Sequence, residues 1–211
     1  VSRSLDQAYR DWAVGEWAML AGKADTARRF RLRAQAYRHL YDQESGFFRP
    51  KWDDRWLDKF DPEAVSPHFG EANAWSYRFA VPHDLDGYRA LIGGADFLEQ
   101  ALDELFAGDA AMPARLGRLG WYNHNRLAMQ LVPFYYIYAS QPTKTQRQVR
   151  RLLDSLYRPE PAGLPGPDHY GQQTGWYAWA ALGLFPAGSG QPHYLLTTPR
   201  FPSWKMAVPG G

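Results

Sequence analysis

Residues 69–84 read FGEANAWSYRFAVPHD, so one carboxyl group, Glu71, is set among Phe69, Trp75, Tyr77 and Phe79 and is followed by the pair His83-Asp84. Burial against aromatic rings disfavours the charged form of a carboxyl, and one still protonated near neutral pH can serve as a general acid. Inverting cleavage of a glycosidic bond uses such an acid opposite a second carboxyl group that activates water. The structural alternative is that Glu71 sits in the first turn of a helix over 71–80, favoured by the helix dipole. Trp75, four residues on, would share that helical face, where core packing accounts for it as well as sugar stacking does.

The elements that must position these groups are legible from apolar spacing. Leu5, Tyr9, Trp12, Ala13, Trp17 and Leu20 recur at helical intervals, AGKAD interrupts, and Ala27, Phe30, Ala34, Tyr37 and Tyr41 resume, which predicts a helical hairpin. Arg28, Arg29, Arg31 and Arg33 fall off the stripe and read as a solvated face. DQESGFFRPKWDDRW at 42–56 is too aromatic for a linker and predicts an ordered loop or short hairpin. Further helices are expected over 71–80, 84–92, 96–107, 124–139, 143–157 and 171–184, with Thr143 and Gln146 forming a capping box. Phe97, Leu98, Ala101, Leu102, Leu105 and Phe106 give one apolar stripe; Val149, Leu152, Leu153 and Leu156 give another. The prolines and short apolar pieces after Phe185 suit extended segments. The fold class is therefore all-α, built of helical hairpins, with a short β or irregular C-terminal tail.

Composition narrows the function classes. The 211 residues carry a net charge of +2 with no lysine or arginine block, which argues against a nucleic-acid partner. The longest strongly apolar run, LVPFYYIYA at 131–139, is too short to span a bilayer, and nothing resembling a signal peptide opens the chain. Cysteine is absent, so thiolate metal sites and disulfides are excluded. Aromatics reach 16%, with nine tryptophans and thirteen tyrosines; a core rich in large rings and a carbohydrate site walled by ring faces both account for it.

Six stretches, in order, resemble glycoside hydrolase family 92, the calcium-dependent exo-acting α-mannosidases. They are SRSLDQAYRDW at 2–12, FRLRAQAYRHLYDQESGFFRP at 30–50, GEANAWSYRFAVPHDLDGYRALIGG at 70–94, FLEQALDELF at 97–106, YIYASQPTKTQRQVRRLLDSLY at 136–157 and GQQTGWYAWAALGLFP at 171–186. The resemblance implies an (α/α) toroid, here a partial (α/α)6 barrel over 1–186, with 187–211 an extended tail leading into a β region. It further implies a missing N-terminal β-sandwich and toroid segment, a terminal mannose or related sugar as substrate, calcium as cofactor, and a secreted or periplasmic location. Glu71 inherits the general acid's role, and Asn73, Trp75, His83, Asp84 and Gln172 become candidates for positioning the acid or the sugar.

Two segments depart from the family's pattern. Its acidic cluster before the last helix, which looks like the source of the base, reads GPDHYGQQ here, leaving Asp168 as the one acid and His169 where an aspartate is usual. Asp168 as base, His169 as base and loss of activity all stay open, as does an ordinary loop histidine. The family's Asn-Glu-Pro-Ser type segment, which helps hold calcium, is matched without gaps by NRLAMQL from Asn125, poor in the hard oxygen ligands calcium prefers; YNHN at 122–125 offers amide and carbonyl oxygens instead. A glycosidase, a non-catalytic glycan-binding relative and a protein-binding helical scaffold are the three readings, in that order.

Overall fold

The computed structural model describes residues 1–70, 72–108, 117–188 and 190–207. The first predicted hairpin is α1 (Ser2–Leu20) against α2 (Ala24–Arg33), continued by a 3₁₀ segment over Ala34–Leu40. Leu5, Ala8, Ala27, Ala34 and Tyr37 are buried, whereas Trp17 and Leu20, on the predicted stripe, are exposed. Gly15 lets the helices close up: a Cβ there would meet the Arg31 side chain at 3.1 Å. Asp11, buried on α1, accepts from Arg33 at 2.9 Å and from Gln7 at 2.9 Å. The arginine run lies on the outer side, with Arg28 on Asp25 and Arg31 on Glu16.

Residues 42–56 form two short hairpins. Strand β1 (Tyr41–Asp42) pairs antiparallel with β2 (Phe47–Phe48), and β3 (Lys51–Trp52) with β4 (Arg55–Trp56). Asp53 and Asp54 both take positive φ, 45° and 60°, as the two-residue turn between twisted strands requires. Arg49 ties the pairs together through Asp42 at 3.1 Å and the Leu57 carbonyl at 2.9 Å.

The remaining helices are α3 (Leu85–Leu91), α4 (Ala95–Ala107), α5 (Pro142–Leu156) and α6 (Gln172–Leu182). Leu98, Ala101, Leu102, Leu105 and Phe106 of α4 and Val149, Leu152, Leu153 and Leu156 of α5 enter one core with Tyr88, Phe134, Tyr135 and Trp176. Phe97 departs from its stripe: it lies exposed, its ring over Gly93. Tyr37, Tyr88, Tyr122, Tyr135, Phe48, Phe69, Phe79 and Phe134 are fully buried, so core packing absorbs much of the aromatic excess. Strand β5 (Arg118–Leu119) pairs with β6 (Tyr122–Asn123), and after α6 the tail opens with β7 (Leu184–Pro186) against β8 (Tyr194–Leu196). No helix among the described residues is long and apolar enough to cross a membrane.

Three sequence expectations are corrected. Over 71–80 the helix shrinks to a 3₁₀ turn, Ala74–Tyr77, because Asn73 caps it from its own side chain and Pro82 keeps the chain before it out of the helical region. Position 71 thus precedes the cap, and the helix-dipole and shared-face arguments for Glu71 and Trp75 lose their helix. Over 124–139 the chain forms two 3₁₀ turns, Leu127–Met129 and Val132–Ile137. Pro133 supplies no N–H there, and Val132 to Tyr136 are buried in succession, a pattern no one-faced α-helix has. The Thr143–Gln146 capping box does not form: α5 starts at Pro142, preorganised for the first helical position, behind Gln141, whose side chain bonds Glu99 at 2.9 Å.

Candidate active site

Glu71 lies outside the described residues, but both flanks of it are fixed. Ser66 caps a 3₁₀ turn over Pro67–Phe69 by accepting from the His68 N–H at 3.3 Å. Gly70 then takes the left-handed region at φ 53°, where a side chain would be strained. The Ser66 N–H donates to the Ala72 carbonyl at 3.0 Å and closes the loop across position 71. Phe69 and Ala72 on either side are buried. Asn73 is spent on this loop as well. Its Oδ1 accepts from the Ser76 N–H at 3.2 Å and hydroxyl at 3.1 Å, and its Nδ2 donates to the Glu63 carbonyl at 3.2 Å.

Trp75 is half-buried and packed on several sides. Trp121 stacks on it at 5.5 Å and 7°, Phe47 meets it edge-on at 4.9 Å, and the Arg78 guanidinium lies 4.9 Å from its ring. Its buried indole N–H has no hydrogen-bond partner among the described residues.

His83 and Asp84 tie the first hairpin to α3. The His83 Nε2–H donates to the Ala34 carbonyl at 3.0 Å, and burial lowers its pKa below the ordinary imidazole value. Its ring is enclosed by Tyr9, Trp12 and Tyr37 at 5.9, 6.4 and 5.7 Å. Asp84 caps α3 by accepting from the Gly87 N–H at 3.0 Å, and takes further bonds from Tyr37 at 2.8 Å and Arg38 at 3.2 Å.

The departing base segment is shaped by α6. Asp168 accepts from the Gln173 N–H at 2.8 Å, the Thr174 N–H at 3.1 Å and the Thr174 hydroxyl, so it stands in for a cap. These bonds, those from Thr174 foremost, hold its pKa below the usual carboxylate range. His169 beside it is exposed, and Tyr170 is fully exposed at φ 56°. A bulky residue held in the left-handed region costs on the order of 1 kcal/mol, and such strain collects at functional sites. Gln172, half-buried, opens α6. Its neighbour Gln173 reaches across the site, Nε2 to the Asn125 Oδ1 at 2.6 Å.

Residues 121–130, noted in the sequence for the YNHN oxygens and for the NRLAMQL stretch poor in hard oxygen ligands, join the other two stretches. Trp121 carries the stack with Trp75, and the Leu127–Met129 turn packs on Ala74–Tyr77. Asn125 bonds Gln173 and donates to the Pro165 carbonyl at 3.3 Å. Between them His124 is fully buried, 2.6 Å from the Tyr122 hydroxyl and 2.6 Å from the Tyr157 hydroxyl. Tyr157 gives its own proton to the Gln173 carbonyl at 3.1 Å, so it accepts from His124 Nε2–H, and Nδ1 accepts from Tyr122. Burial holds the imidazole neutral, its pKa lowered to about 3. Nothing in the sequence pattern marks this triad, in which His124 and Tyr157 lie 33 positions apart.

This donor set does not fit calcium. Of the YNHN oxygens, Asn123 O and Oδ1 accept from the Arg126 and Asn125 N–H groups, His124 O from Gln130, and Asn125 Oδ1 from Gln173. No carboxylate stands in residues 122–131, and among the described residues no three His, Asp or Glu side chains form a metal cluster. Two open clefts among the described residues, of 390 and 450 Å³, lie on the α1–α2 hairpin around Asp11 and along α4 around Glu99 and Asp103, and no nominated residue lines either.

Comparison with known proteins adds the following. Residues 1–211 match the model of the Glycosyl hydrolase family 92 catalytic domain. A family 92 alpha-mannosidase of Bacteroides thetaiotaomicron is 30% identical and superposes with a TM-score of 0.84 over 92% of this chain and 26% of its own. The same enzyme has been solved with mannoimidazole bound. An inverting family 92 mannosidase of that organism is 31% identical, with a TM-score of 0.82 over 94% of this chain and 29% of its own. A protein of Arthroderma benhamiae described as an uncharacterized secreted glycosidase is 25% identical over 99% of this chain, which spans 28% of its length.

Proposed function

The chain belongs to glycosyl hydrolase family 92, and from that premise we propose that it supplies part of the active site of an exo-acting, inverting α-mannosidase-like glycoside hydrolase. Residues 1–186 form the C-terminal part of its (α/α) toroid and 187–211 an extended tail. The chain spans under a third of the relatives it matches, so an N-terminal β-sandwich and the earlier toroid helices complete the cleft. Export from the cytoplasm goes with this reading, as the relative described as secreted suggests.

One observation carries the reading: the acid stretch at 70–77 and the base stretch at 165–173 both converge on residues 121–125, through the Trp75–Trp121 stack and the Asn125–Gln173 bond. Glu71 is the general acid of this reading, the role its place in the GEANAW motif implies. Of the two base candidates the geometry favours His169. Asp168 has both oxygens engaged at the start of α6 and a lowered pKa, which makes it a weak proton acceptor, whereas His169 is exposed and able to take a proton from water. Trp75 and Gln172 position the sugar; Asn73, His83 and Asp84 act through the backbone they hold.

The reading is tested by assaying the full-length protein on aryl α-mannosides and mannose disaccharides beside Glu71→Gln. Turnover that Glu71→Gln lowers by about 10²–10⁴-fold supports it. A second reading, a glycan-binding relative without catalysis, is favoured by the commitment of Asp168 to α6; sugar binding without turnover on any substrate would select it.

A further inference from the structure

Helix α1 carries more apolar side chains than its neighbours cover. Ala8, Asp11, Gly15 and Ala18 recur at helical spacing and are buried, and along this row α1 meets α2: Asp11 pairs with Arg33, and a Cβ at Gly15 would lie 3.4 Å from the Ala27 carbonyl. A second row, Val14, Trp17 and Leu20 with Ala13 beside it, follows the same spacing on another side of the helix. It is bare. Trp17 is 69% exposed and Leu20 88%, Val14 and Ala13 are exposed as well, and none of the four enters either hydrophobic cluster. Glu16, the one charged residue between Ala13 and Leu20, is turned to Arg31 on α2 at 2.9 Å, so the row carries no charge. Single apolar side chains at a surface are ordinary, but a contiguous row that includes a tryptophan marks an interface.

We infer that this row is the seam at which α1 docks against a helix of the earlier toroid segment of the same chain. Two observations choose that occupant. The chain covers 26% and 29% of the two mannosidases on which 92% and 94% of it superposes, so most of each relative lies outside the matched part. In a closed ring of helical hairpins each hairpin has a neighbour on either flank, and here α1 has α2 and the core on two sides and nothing on the side of Trp17. The chemistry names the partner's face: an uncharged ridge with three-residue spacing fits the groove of an apolar helix, which would take the Trp17 ring between its side chains. The inference rests on the partial toroid and not on the catalytic roles, so a failed glycosidase assay leaves it standing and its own failure leaves the glycosidase reading standing.

The test uses the full-length protein. Hydroxyl-radical footprinting with mass spectrometry reads the oxidation rate of Trp17 in the native protein and in the same protein unfolded in urea. A native rate suppressed several-fold is expected; a native rate close to the unfolded one means the face is open and overturns the inference. The occupant is identified by placing the photo-reactive p-benzoylphenylalanine at Leu20, on the rim of the row, and mapping the cross-linked peptide. A peptide from ahead of the matched region, formed at the same yield on dilution in a protein that light scattering shows to be monomeric, is the expected product. A cross-link whose yield falls with dilution as a dimer dissociates assigns the face to a second copy and overturns the choice of occupant. Trp17→Phe should keep the midpoint of urea unfolding near that of the unsubstituted protein and Trp17→Glu should lower it, and equal midpoints for Trp17→Glu and the unsubstituted protein also overturn the seam. If Trp17→Glu fails to fold, the footprint and the cross-link, read without that substitution, still decide.

Discussion

His124 makes the fold sensitive to acid in a way that can be worked out in advance. Its imidazole is buried, donates to Tyr157 and accepts from Tyr122, and so has no place for a second proton; burial lowers its pKa to about 3. In the unfolded chain the same group titrates near 6.5, so below that pH the unfolded state binds the proton and the folded state does not. The sign follows: the stabilisation is present above pH 6.5 and is lost as pH falls from there toward 3. Between pH 7.5 and 5 the loss is about 2 kcal/mol, and it grows by about 1.4 kcal/mol for each further unit. Urea unfolding read by tryptophan fluorescence suits the measurement, since the Trp176 ring stands 4.5 Å from the imidazole. His124→Phe should be less stable at pH 7.5 by about 1–3 kcal/mol, because the Tyr122 hydroxyl loses its acceptor. Its stability should also fall less between pH 7.5 and 5, by that same 2 kcal/mol or so. Equal pH slopes for the two proteins would refute the neutral, doubly bonded imidazole.

Other consequences can be checked alongside. Asp168→Asn should lower Tm, since the carboxylate that receives Gln173 and Thr174 at the start of α6 is weakened, while His169→Ala should leave Tm unchanged and lower kcat by about 10²-fold or more. The reverse pattern would make Asp168 the base. Asp84→Ala removes the α3 cap together with the acceptor of Tyr37 and Arg38, and a loss of about 2–4 kcal/mol is expected in denaturant melts; a neutral effect would contradict the structural role assigned to it. Trp121→Ala takes away the ring stacked on Trp75, so KM or the sugar Kd should rise more than kcat falls, which steady-state kinetics would resolve.

The helices with one clean apolar face were readable because burial on one side leaves a periodic trace: Leu98, Leu102 and Leu105 on α4, Val149, Leu152 and Leu156 on α5. Where burial is on every side, as at Val132 to Tyr136, the trace vanishes and the predicted helix resolves into 3₁₀ turns. Local hydrogen bonding misled in the same way: Asn73 and Pro82 cut short a helix that apolar spacing alone had extended over 71–80. At the site, the acid stretch and the altered base stretch were visible as motifs, whereas the segment joining them was not. His124, Tyr157 and Gln173 meet through the fold and not through spacing. The Asp168 cap did leave a signal, an acid five and six positions before Gln173 and Thr174 at the opening of a helix, and it explains why that carboxylate is committed.

The central claim is that Glu71 is the acid of an inverting glycosidase. Its most direct test follows the anomer first released from an aryl α-mannoside by proton NMR, using the full-length protein and Glu71→Gln. The account predicts β-mannose as the first product and a loss of about 10²–10⁴-fold in kcat for Glu71→Gln. Release of α-mannose first, or a Glu71→Gln protein as fast as the unsubstituted one, would contradict it.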